Sequence, residues 1–561
     1  MYNKKLTTEK RNSKTFKSLV LSVSLVLAGT ICAPLSAQVP NVQWKQNFGG
    51  SDWDQYNSVT AVSDGIIAVG YSREQSFNTG DWAGVAGKGD RDAIIIKYDN
   101  TGNVLWKKNF GGGDLDYFMS VTAVSNGVVA VGYSGSGSFN NGDWTGNAGR
   151  GMTDAIIVKY DNNGNVVWKK YFGDSEHDYF YSTTAVSDGI LAVGYSSVNG
   201  TGDWAGMNGN GGYDAFIVKY NNDGNVVWKK YFGGKSFDYF QSVTATSDGI
   251  EVVGFSAANT FNSGDWAGYT ANGNDDAIIV KYDNAGNVLW KKNLGGSDED
   301  RFLSVTAAQD GTVAVGYSGG PSFNTGDWAD VTGKGGTDAI IIKYDNTGNV
   351  LWKKNFGGSG EDYFQSIMAV SDGVVVSGYS YVNNTGDWTS NAGNGGNDAI
   401  IVKYDNAGNI VWKKNFGGNS SEYFMSITAA SGGIAAAGYS TQASFNTGDW
   451  TGITGKGGND AAIVKYSFGT SAIDEVQADN LKIYPNPVKD VLYIDIPFFQ
   501  KMEYLKNVEI LDLSGRTVWA LRATPIQEGN ATINVASLPQ GVYFLKIQTD
   551  KGIITKKFIK Q

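Results

Sequence analysis

Short apolar runs, rich in Val, Ile, Tyr, Phe and Trp, recur throughout residues 41–466 and are separated by turns of Gly, Asn and Asp. In one stretch these runs predict four β-strands, over residues 117–125, 128–134, 154–160 and 166–173. A long glycine-rich loop that contains Gly142-Asp143-Trp144 joins the second predicted strand to the third. Runs such as Ile94-Ile95-Ile96 do not alternate with polar residues, which indicates sheets that are covered on both faces.

The whole pattern of strands and turns repeats along the chain. A tryptophan in the frame Asn-[Val/Ile]-x-Trp-Lys marks each copy, at intervals of 62, 62, 60, 62, 62 and 60 residues. These tryptophans are Trp44, Trp106, Trp168, Trp228, Trp290, Trp352 and Trp412. The third and sixth copies are shorter at the same place, which indicates that a block of three units was duplicated. The sequence therefore predicts seven copies of a unit of about 62 residues.

The two ends of the repeat region are each incomplete. It begins with an isolated tryptophan strand, Asn41 to Phe48, and ends after Asp460 to Tyr466, where no tryptophan strand follows. If the first strand pairs with the last three, seven four-stranded sheets result and form a closed ring, which protects the strand edges. We therefore expect an all-β fold in which residues 38–468 form a seven-bladed β-propeller. The alternative is an open solenoid, in which the Trp44 strand stays unpaired.

The complete unit resembles the bacterial β-propeller repeats often called SBBP repeats. The resemblance rests on the succession FGGSxxDxFxSVTAV, GxVAVGYS, FNTGDW and DAIIVKYDNxGNVLWKKN, and it covers about 425 residues of this chain. It implies a propeller fold and no particular reaction, so function has to be argued from the residues of a site.

Residues 1–37 have the pattern of a signal peptide. Six basic residues precede a short apolar stretch, Ser18 to Ala33, and small residues around Ala37 favour cleavage before Gln38. The alternative, a transmembrane anchor, would be short for a bilayer. Cys32, the one cysteine, lies in this segment, so the exported chain has no disulfide and no cysteine-ligated metal.

Charge and histidine content exclude further classes of function. Removal of residues 1–37 leaves 39 basic and 54 acidic residues, a net charge of about −15, which disfavours nucleic acid as a partner. His177 is the one histidine, which excludes a zinc site built from several histidines. We interpret it as a surface variant of a repeat position.

The C-terminal part of the chain differs in composition from the repeats. Residues 469–479 are predicted to be a linker, and seven short apolar runs in residues 480–561 predict a small Ig-like β-sandwich. This segment resembles the type A sorting domain of type IX secretion in Bacteroidota. The motifs that carry the resemblance are Tyr484-Pro485-Asn486-Pro487, residues 512–516, residues 538–543 and residues 556–560.

The resemblance to a sorting domain implies passage across the outer membrane through the type IX machinery. It also implies removal of the domain by a sortase-like peptidase and, often, attachment to surface lipopolysaccharide. The alternative is an adhesive Ig-like module. With the signal peptide, the resemblance predicts a protein that is exported through the periplasm to the outer cell surface or the medium, with no transmembrane segment after signal removal.

Two sets of repeated residues are candidates for a binding site. Alternate connections of a four-stranded meander lie at the same end of the sheet, so both sets are expected on one face. The acidic residues before the first strand are Asp54, Asp116, Asp178, Asp238, Asp300, Asp362 and Glu422. The Asp-Trp pairs in the long loop are Asp81-Trp82, Asp143-Trp144, Asp203-Trp204, Asp265-Trp266, Asp327-Trp328, Asp387-Trp388 and Asp449-Trp450.

The Asp-Trp pairs have the chemistry of a glycan site, because indole faces stack on sugar C–H surfaces and carboxylates accept hydrogen bonds from hydroxyl groups. The alternative is structural: each tryptophan packs under its loop and each aspartate caps a turn. Repetition in every unit favours this alternative, because a packing solution is copied whenever the unit is copied. Seven acidic residues facing one channel would also suit a divalent cation; no other cofactor is predicted.

The sequence thus favours a surface or secreted binding protein, adhesive or specific for glycans, with surface glycans or proteins as partners. The alternative is a secreted, carboxylate-dependent enzyme that degrades polysaccharide. Nearly identical units provide nearly identical environments, whereas catalysis requires carboxyl groups whose pKa values differ. No catalytic residue is therefore predicted. A structural role in the matrix without a small ligand is the third hypothesis.

Overall fold

The computed structural model describes residues 39–468, 482–495, 504–511, 517–525, 530–549 and 552–561. The predicted signal peptide, the linker 469–479 and the motif at 512–516 lie outside these residues. Within them the chain is all-β, with short 3-10 turns. No helix in this part of the chain is long and apolar enough to span a membrane.

Residues 39–468 form seven four-stranded antiparallel sheets, each of which we call a unit. The strands, in unit order, are β1 (Asn41–Phe48); β2 (Asp54–Val62), β3 (Gly65–Arg73), β4 (Arg91–Tyr98), β5 (Val104–Phe110); β6 (Asp116–Val124), β7 (Gly127–Gly135), β8 (Thr153–Tyr160), β9 (Val166–Phe172); β10 (Asp178–Val186), β11 (Gly189–Ser196), β12 (Asp214–Tyr220), β13 (Val226–Phe232); β14 (Asp238–Thr246), β15 (Gly249–Ala257), β16 (Asp275–Tyr282), β17 (Val288–Leu294); β18 (Asp300–Ala308), β19 (Gly311–Gly319), β20 (Thr337–Tyr344), β21 (Val350–Phe356); β22 (Asp362–Val370), β23 (Gly373–Ser380), β24 (Asp398–Asp405), β25 (Ile410–Phe416); β26 (Glu422–Ala430), β27 (Gly433–Thr441) and β28 (Asn459–Ser467).

The connection between the second and third strands contains short 3-10 turns. Five units carry one just after the second strand, at Glu74–Ser76, Ser136–Ser138, Ala258–Thr260, Gly320–Ser322 and Gln442–Ser444. All seven units carry one at the Gly-Asp-Trp sequence, at Gly80–Trp82, Gly142–Trp144, Gly202–Trp204, Gly264–Trp266, Gly326–Trp328, Gly386–Trp388 and Gly448–Trp450.

The third strand of each unit is the centre of the core. Ala155, Ile156, Ile157 and Val158 of β8 are all 0% exposed, so both faces of the sheet are covered, as the lack of alternation predicts. One hydrophobic cluster joins Ile95 of the first unit to Ile156 of the second, which shows that consecutive units cover each other. Burial of each such side chain contributes about 1.5–3 kcal/mol.

The first strand of the chain belongs to the last unit. β1 pairs antiparallel with β28, in a register that places Phe48 opposite Ala461, and the sheet order is β1-β28-β27-β26. Phe48 and Ala461 also share a hydrophobic cluster with Tyr56 and Ile94 of the first unit. Strand β1 therefore completes the seventh unit, and the seventh unit packs against the first.

Serine side chains link the first strands of neighbouring units. The Ser58 hydroxyl accepts a hydrogen bond from the Val121 amide of the next unit, at 3.2 Å. The same bond joins the last unit to the first, because Ser426 accepts from the amide of Val59 at 3.1 Å. The contact between units one and seven thus has the same form as the contact between units one and two.

The described residues of the C-terminal segment form seven strands in two sheets, ordered β29-β30-β33 and β32-β31-β34-β35. The strands are β29 (Lys482–Tyr484), β30 (Val491–Asp495), β31 (Tyr504–Leu511), β32 (Thr517–Pro525), β33 (Asn530–Asn534), β34 (Gly541–Thr549) and β35 (Gly552–Lys560). The two sheets share one core that includes Leu492 and Leu545. Asn486 accepts a hydrogen bond from the Ile559 amide at 2.9 Å, so the first and last sorting motifs contact each other.

Removal of β1 is expected to destabilise the repeat region by roughly 4 kcal/mol or more, because it deletes the buried Phe48 and exposes the edge of β28. The comparison is between a chain that begins at Ser51 and a control that begins at Asn41, followed by tryptophan fluorescence during chemical unfolding. Equal unfolding midpoints for the two chains would contradict the role given to β1.

Candidate ligand-binding face

The tryptophan of each Gly-Asp-Trp turn is buried inside the fold. Its exposed fraction is 0% in all seven units. The indole of Trp82 donates a hydrogen bond to the Asp54 carboxylate at 3.2 Å and contacts the Ser72 hydroxyl at 3.0 Å. The two predicted residue sets therefore lie on one face, as expected, but they also bind each other directly.

The indole of each Gly-Asp-Trp turn also fills the boundary between its own unit and the preceding one. The ring of Trp144 lies 5.1 Å, centre to centre, from the ring of Phe110, which ends the fourth strand of the preceding unit. Trp82 makes the equivalent edge contact with Phe48 of β1 at 5.0 Å. No indole face at these positions is open to a sugar ring, and the packing alternative accounts for their burial.

The acidic residue that begins each first strand is also buried within its own unit. The Asp116 carboxylate accepts hydrogen bonds from the Gly112 amide at 2.9 Å and from the hydroxyls of Ser134 and Ser138. Burial raises the pKa of Asp116 to about 6, although these bonds lower it. The residues with 0% or 1% exposure at this position are Asp54, Asp116, Asp178, Asp238, Asp300, Asp362 and Glu422.

These carboxylates do not line a common channel, which differs from the expectation of an acidic ring around a cation. Each one faces the hydroxyl and amide donors of its own loop. Among the described residues, no group of three or more His, Cys, Asp or Glu side chains has an arrangement that could hold a metal ion.

The aspartate of each Gly-Asp-Trp turn joins its unit to the preceding one. Asp143 accepts a hydrogen bond from the Gly111 amide at 2.9 Å and pairs with the ammonium group of Lys88 at 2.6 Å. Gly111 and Lys88 both precede, in the sequence, the unit to which Asp143 belongs. We call this pair of contacts the aspartate clasp.

The aspartate clasp occurs in every unit, with lysine, arginine or asparagine as the donor. The donor and acceptor pairs are Lys88–Asp143, Arg150–Asp203, Asn210–Asp265, Asn272–Asp327, Lys334–Asp387, Asn394–Asp449 and Lys456–Asp81. The last pair connects the seventh unit to the first at 2.5 Å. The Asp-Trp pairs therefore hold units together.

A set of aromatic side chains that the sequence analysis did not select lies at the same end of the sheets. They come from the second position of the first strand and from the facing position of the second strand, as in the pair Tyr117 and Tyr133. We call them the aromatic collar; its members are Tyr71, Tyr117, Tyr133, Tyr179, Tyr195, Tyr239, Phe255, Tyr317, Tyr363, Tyr379, Tyr423 and Tyr439.

Facing rings within one unit lie with centroids 4.6–4.8 Å apart and are mostly stacked, as in Tyr117 and Tyr133. Rings of adjacent units come equally close, with centroids 4.6–4.8 Å apart, but meet edge to face or tilted, as in Tyr133 and Tyr179. Two of the fourteen equivalent positions are not aromatic: Gln55, which accepts a hydrogen bond from the Tyr71 hydroxyl at 3.3 Å, and Arg301. All members except the buried Tyr117 are half-buried.

Next to the aromatic collar, one position differs in chemistry from unit to unit although the buried carboxylate that follows it is repeated. It directly precedes the acidic residue of the first strand, and we call these residues the mouth positions: Trp53, Leu115, His177, Phe237, Glu299, Glu361 and Ser421. Trp53 is 41% exposed and Phe237 is 44% exposed. His177 is half-buried, with Nδ1 3.3 Å from the Tyr179 hydroxyl.

The sequence pattern indicated that His177 is a surface variant of a repeat position, but the equivalent residues of the other units were not grouped with it. The sequence does contain a signal for these positions, namely their variation between units. A residue that supports the fold is copied with the unit, whereas a residue that contacts a ligand is free to differ. The aromatic collar and the mouth positions together form a half-exposed surface with aromatic, acidic and hydroxyl groups. Such a surface can bind a ligand without carrying out a reaction.

Comparison with protein families identifies the C-terminal segment. Residues 482–561 match the family described as the secretion system C-terminal sorting domain. A tail of this family implies export by type IX secretion, and hence a protein that is secreted or displayed on the cell surface.

Two curated relatives are similar to parts of the chain. The regulatory protein FlaEY of Caulobacter vibrioides is 25% identical over 216 residues, which is 37% of this chain and 22% of that protein. A WD-repeat-containing protein of Acanthamoeba polyphaga mimivirus is 22% identical over 360 residues, 57% of this chain and 24% of that protein. The chain thus spans less than a quarter of the length of either relative.

Among solved structures, the chain is similar to the WD40 β-propeller domain of Doa1. The identity is 10% and the TM-score is 0.39, over 77% of this chain and 98% of that domain.

The Trp144→Ala variant is expected to lose about 3–5 kcal/mol of stability, because it leaves a large cavity at a unit boundary. Chemical unfolding of this variant and of the parent measures the loss. The control is Trp53→Ala, which removes an exposed indole and should change stability by about 0.5 kcal/mol or less. Equal effects of the two substitutions would contradict the packing role of Trp144.

The stability of the repeat region is expected to fall as the pH rises from about 4 to about 8. An unfolded aspartate titrates near 3.8, whereas the pKa of Asp116 in the fold is about 6. Between these values the folded chain holds a proton that the unfolded chain has released, so raising the pH lowers the free energy of unfolding.

Thermal melts at about pH 5 and about pH 8 measure this pH dependence. The Asp116→Asn variant, which cannot titrate at this position, is the control and should show a smaller difference between the two conditions. A melting temperature of the parent that is higher at the alkaline pH would contradict the assignment.

Proposed function

We propose that the chain is an exported, seven-bladed β-propeller that acts at the cell surface or in the medium as a carbohydrate-binding scaffold. Export follows from the sorting domain at residues 482–561. Closure of the seven units into a ring is supported by three contacts between the last unit and the first. These are the shared core with β1, the Ser426 bond to Val59 and the Lys456–Asp81 clasp.

The aromatic collar with its mouth positions is the observation that carries the binding proposal. The Arg73 guanidinium lies over the Trp53 ring, 4.3 Å from its centre, and Trp53 keeps 41% exposure. The exposed parts of Trp53 and Phe237 suit the C–H surfaces of a sugar, and tyrosine hydroxyls exchange hydrogen bonds with sugar hydroxyls. The buried carboxylates and tryptophans also fix the loops on which the mouth positions lie, so the collar is held by a rigid part of the fold. A rigid support reduces the ordering cost of binding.

A polysaccharide-degrading enzyme is the second hypothesis, and two observations disfavour it. The repeated carboxylates, such as Asp54 and Asp116, have no exposure through which to reach a glycosidic bond. Each also accepts several hydrogen bonds from its own unit, which fixes it as part of a loop. We therefore propose binding without turnover.

A panel of immobilised oligosaccharides, probed with the exported full chain, tests the proposed function. The double variant Trp53→Ala/Phe237→Ala is expected to reduce glycan capture by about tenfold or more, because it removes two exposed stacking faces. The control is Leu105→Ala, an equally exposed apolar residue on the outer strand β5 (51% exposed). Capture that is unchanged in the double variant, or reduced equally in the control, would contradict the proposed site.

A further inference from the structure

The mouth positions divide into two arcs of different chemistry. Four consecutive units supply Trp53, Leu115, His177 and Phe237, which we call the aromatic arc although Leu115 is aliphatic. The next two units supply Glu299 and Glu361, which we call the acidic arc, and the seventh supplies Ser421. The first strands of consecutive units contact each other, so the aromatic arc and the acidic arc are neighbours where the fourth unit meets the fifth. A ligand that spans this boundary meets an aromatic face on one side and carboxylates on the other.

The acidic arc carries negative charge beside the aromatic collar. Both glutamates are exposed, and within the described residues Glu361 has no basic side chain at ion-pair distance, whereas Glu299 lies 3.4 Å from Arg301. Glu361 precedes the collar tyrosine Tyr363 by two residues, and its backbone forms a bridge with Thr337 at the start of β20. Glu361 therefore lies close enough to act on the same ligand as the collar.

The aromatic collar already accommodates two cations of the chain itself. The Arg91 guanidinium lies 5.8 Å from the Tyr71 ring and 5.6 Å from the Tyr117 ring. Arg301 occupies a position where five other units have tyrosine, and its guanidinium lies 4.2 Å from the Phe255 ring and 6.0 Å from the Tyr317 ring. The charge is balanced by Asp275 at 2.5 Å. Aromatic faces with an adjacent carboxylate thus form a site for a positive group at this end of the sheets.

We propose that the mouth positions bind a carbohydrate that carries amino groups. This inference rests on the proposed carbohydrate-binding function and names the class of sugar. The sugar C–H faces pack on Trp53 and Phe237, and a protonated amine pairs with Glu361 and approaches Glu299. A charged amine gains an ion pair and a cation–π contact that an acetylated or hydroxyl group at the same position cannot make.

The test compares two ligands of equal length, a β-1,4-linked glucosamine hexamer and its N-acetylated counterpart, by calorimetry at about pH 6, where amines of this kind are mostly protonated. The exported full chain is expected to bind the glucosamine hexamer about tenfold more tightly or better. Glu361→Gln is expected to remove most of that preference and to leave the affinity for the N-acetylated hexamer unchanged.

The matched control is Asp223→Asn, which removes an exposed carboxylate from a turn at the opposite end of the strands. It should preserve the preference for the amino sugar. If it lowers the preference as much as Glu361→Gln does, the effect is general charge attraction and the inference fails.

The remaining outcomes separate this inference from the proposed function. Equal affinity for the two hexamers, with loss of both in Trp53→Ala/Phe237→Ala, would overturn the amino-sugar inference and leave carbohydrate binding in place. Binding of neither hexamer, with binding of a lysine-rich peptide that Glu361→Gln abolishes, would overturn both and indicate a basic protein partner.

Discussion

The aspartate clasp is the interaction on which the rest of the structure depends. One carboxylate per unit, such as Asp143, accepts a hydrogen bond from the connecting glycine and pairs with a donor from the preceding unit. No unit can make this contact alone, so each depends on a neighbour for its longest loop. Because Lys456 supplies the donor for Asp81, the first unit has a neighbour as well. The loop in turn carries the tryptophan that fills the unit boundary and binds the buried carboxylate of the first strand.

Repetition separates the residues that support the fold from those that contact a ligand. The Gly-Asp-Trp turn is the same in every unit because its tryptophan fills the same kind of boundary each time, and a buried carboxylate, aspartate in six units and Glu422 in the seventh, begins each first strand. The mouth positions are not restricted in this way: Leu115, Phe237 and Glu361 occupy equivalent places and differ in chemistry. A symmetric support with an asymmetric surface allows a copied unit to acquire binding specificity without loss of packing.

The strands and the pairing of β1 with β28 could be predicted from the sequence, because the hydrophobic runs and the unequal ends determine them. The placement of the Asp-Trp pairs and the acidic residues at one end of the sheets also followed from the alternation of strand direction. Their direct contact did not follow, since it depends on how a long loop folds back over its own unit. The aromatic collar was missed for a specific reason. A bulge at Met119 shifts the hairpin register by one residue, so counting from the Asn126-Gly127 turn pairs Tyr117 with Ser134 instead of Tyr133.

Hydrogen exchange at the Gly-Asp-Trp turns measures most directly whether the clasps form a closed circle. The amide of Asp81 in the first unit donates to the Gly49 carbonyl, and the amide of Asp265 in the fourth unit donates to Gly233, both at 2.8 Å. In a closed circle the two amides have equivalent neighbours, so we expect similar protection at Asp81 and Asp265. Much faster exchange at Asp81 and along β1 than at Asp265 would show that the first unit lacks its clasp, and would contradict the account.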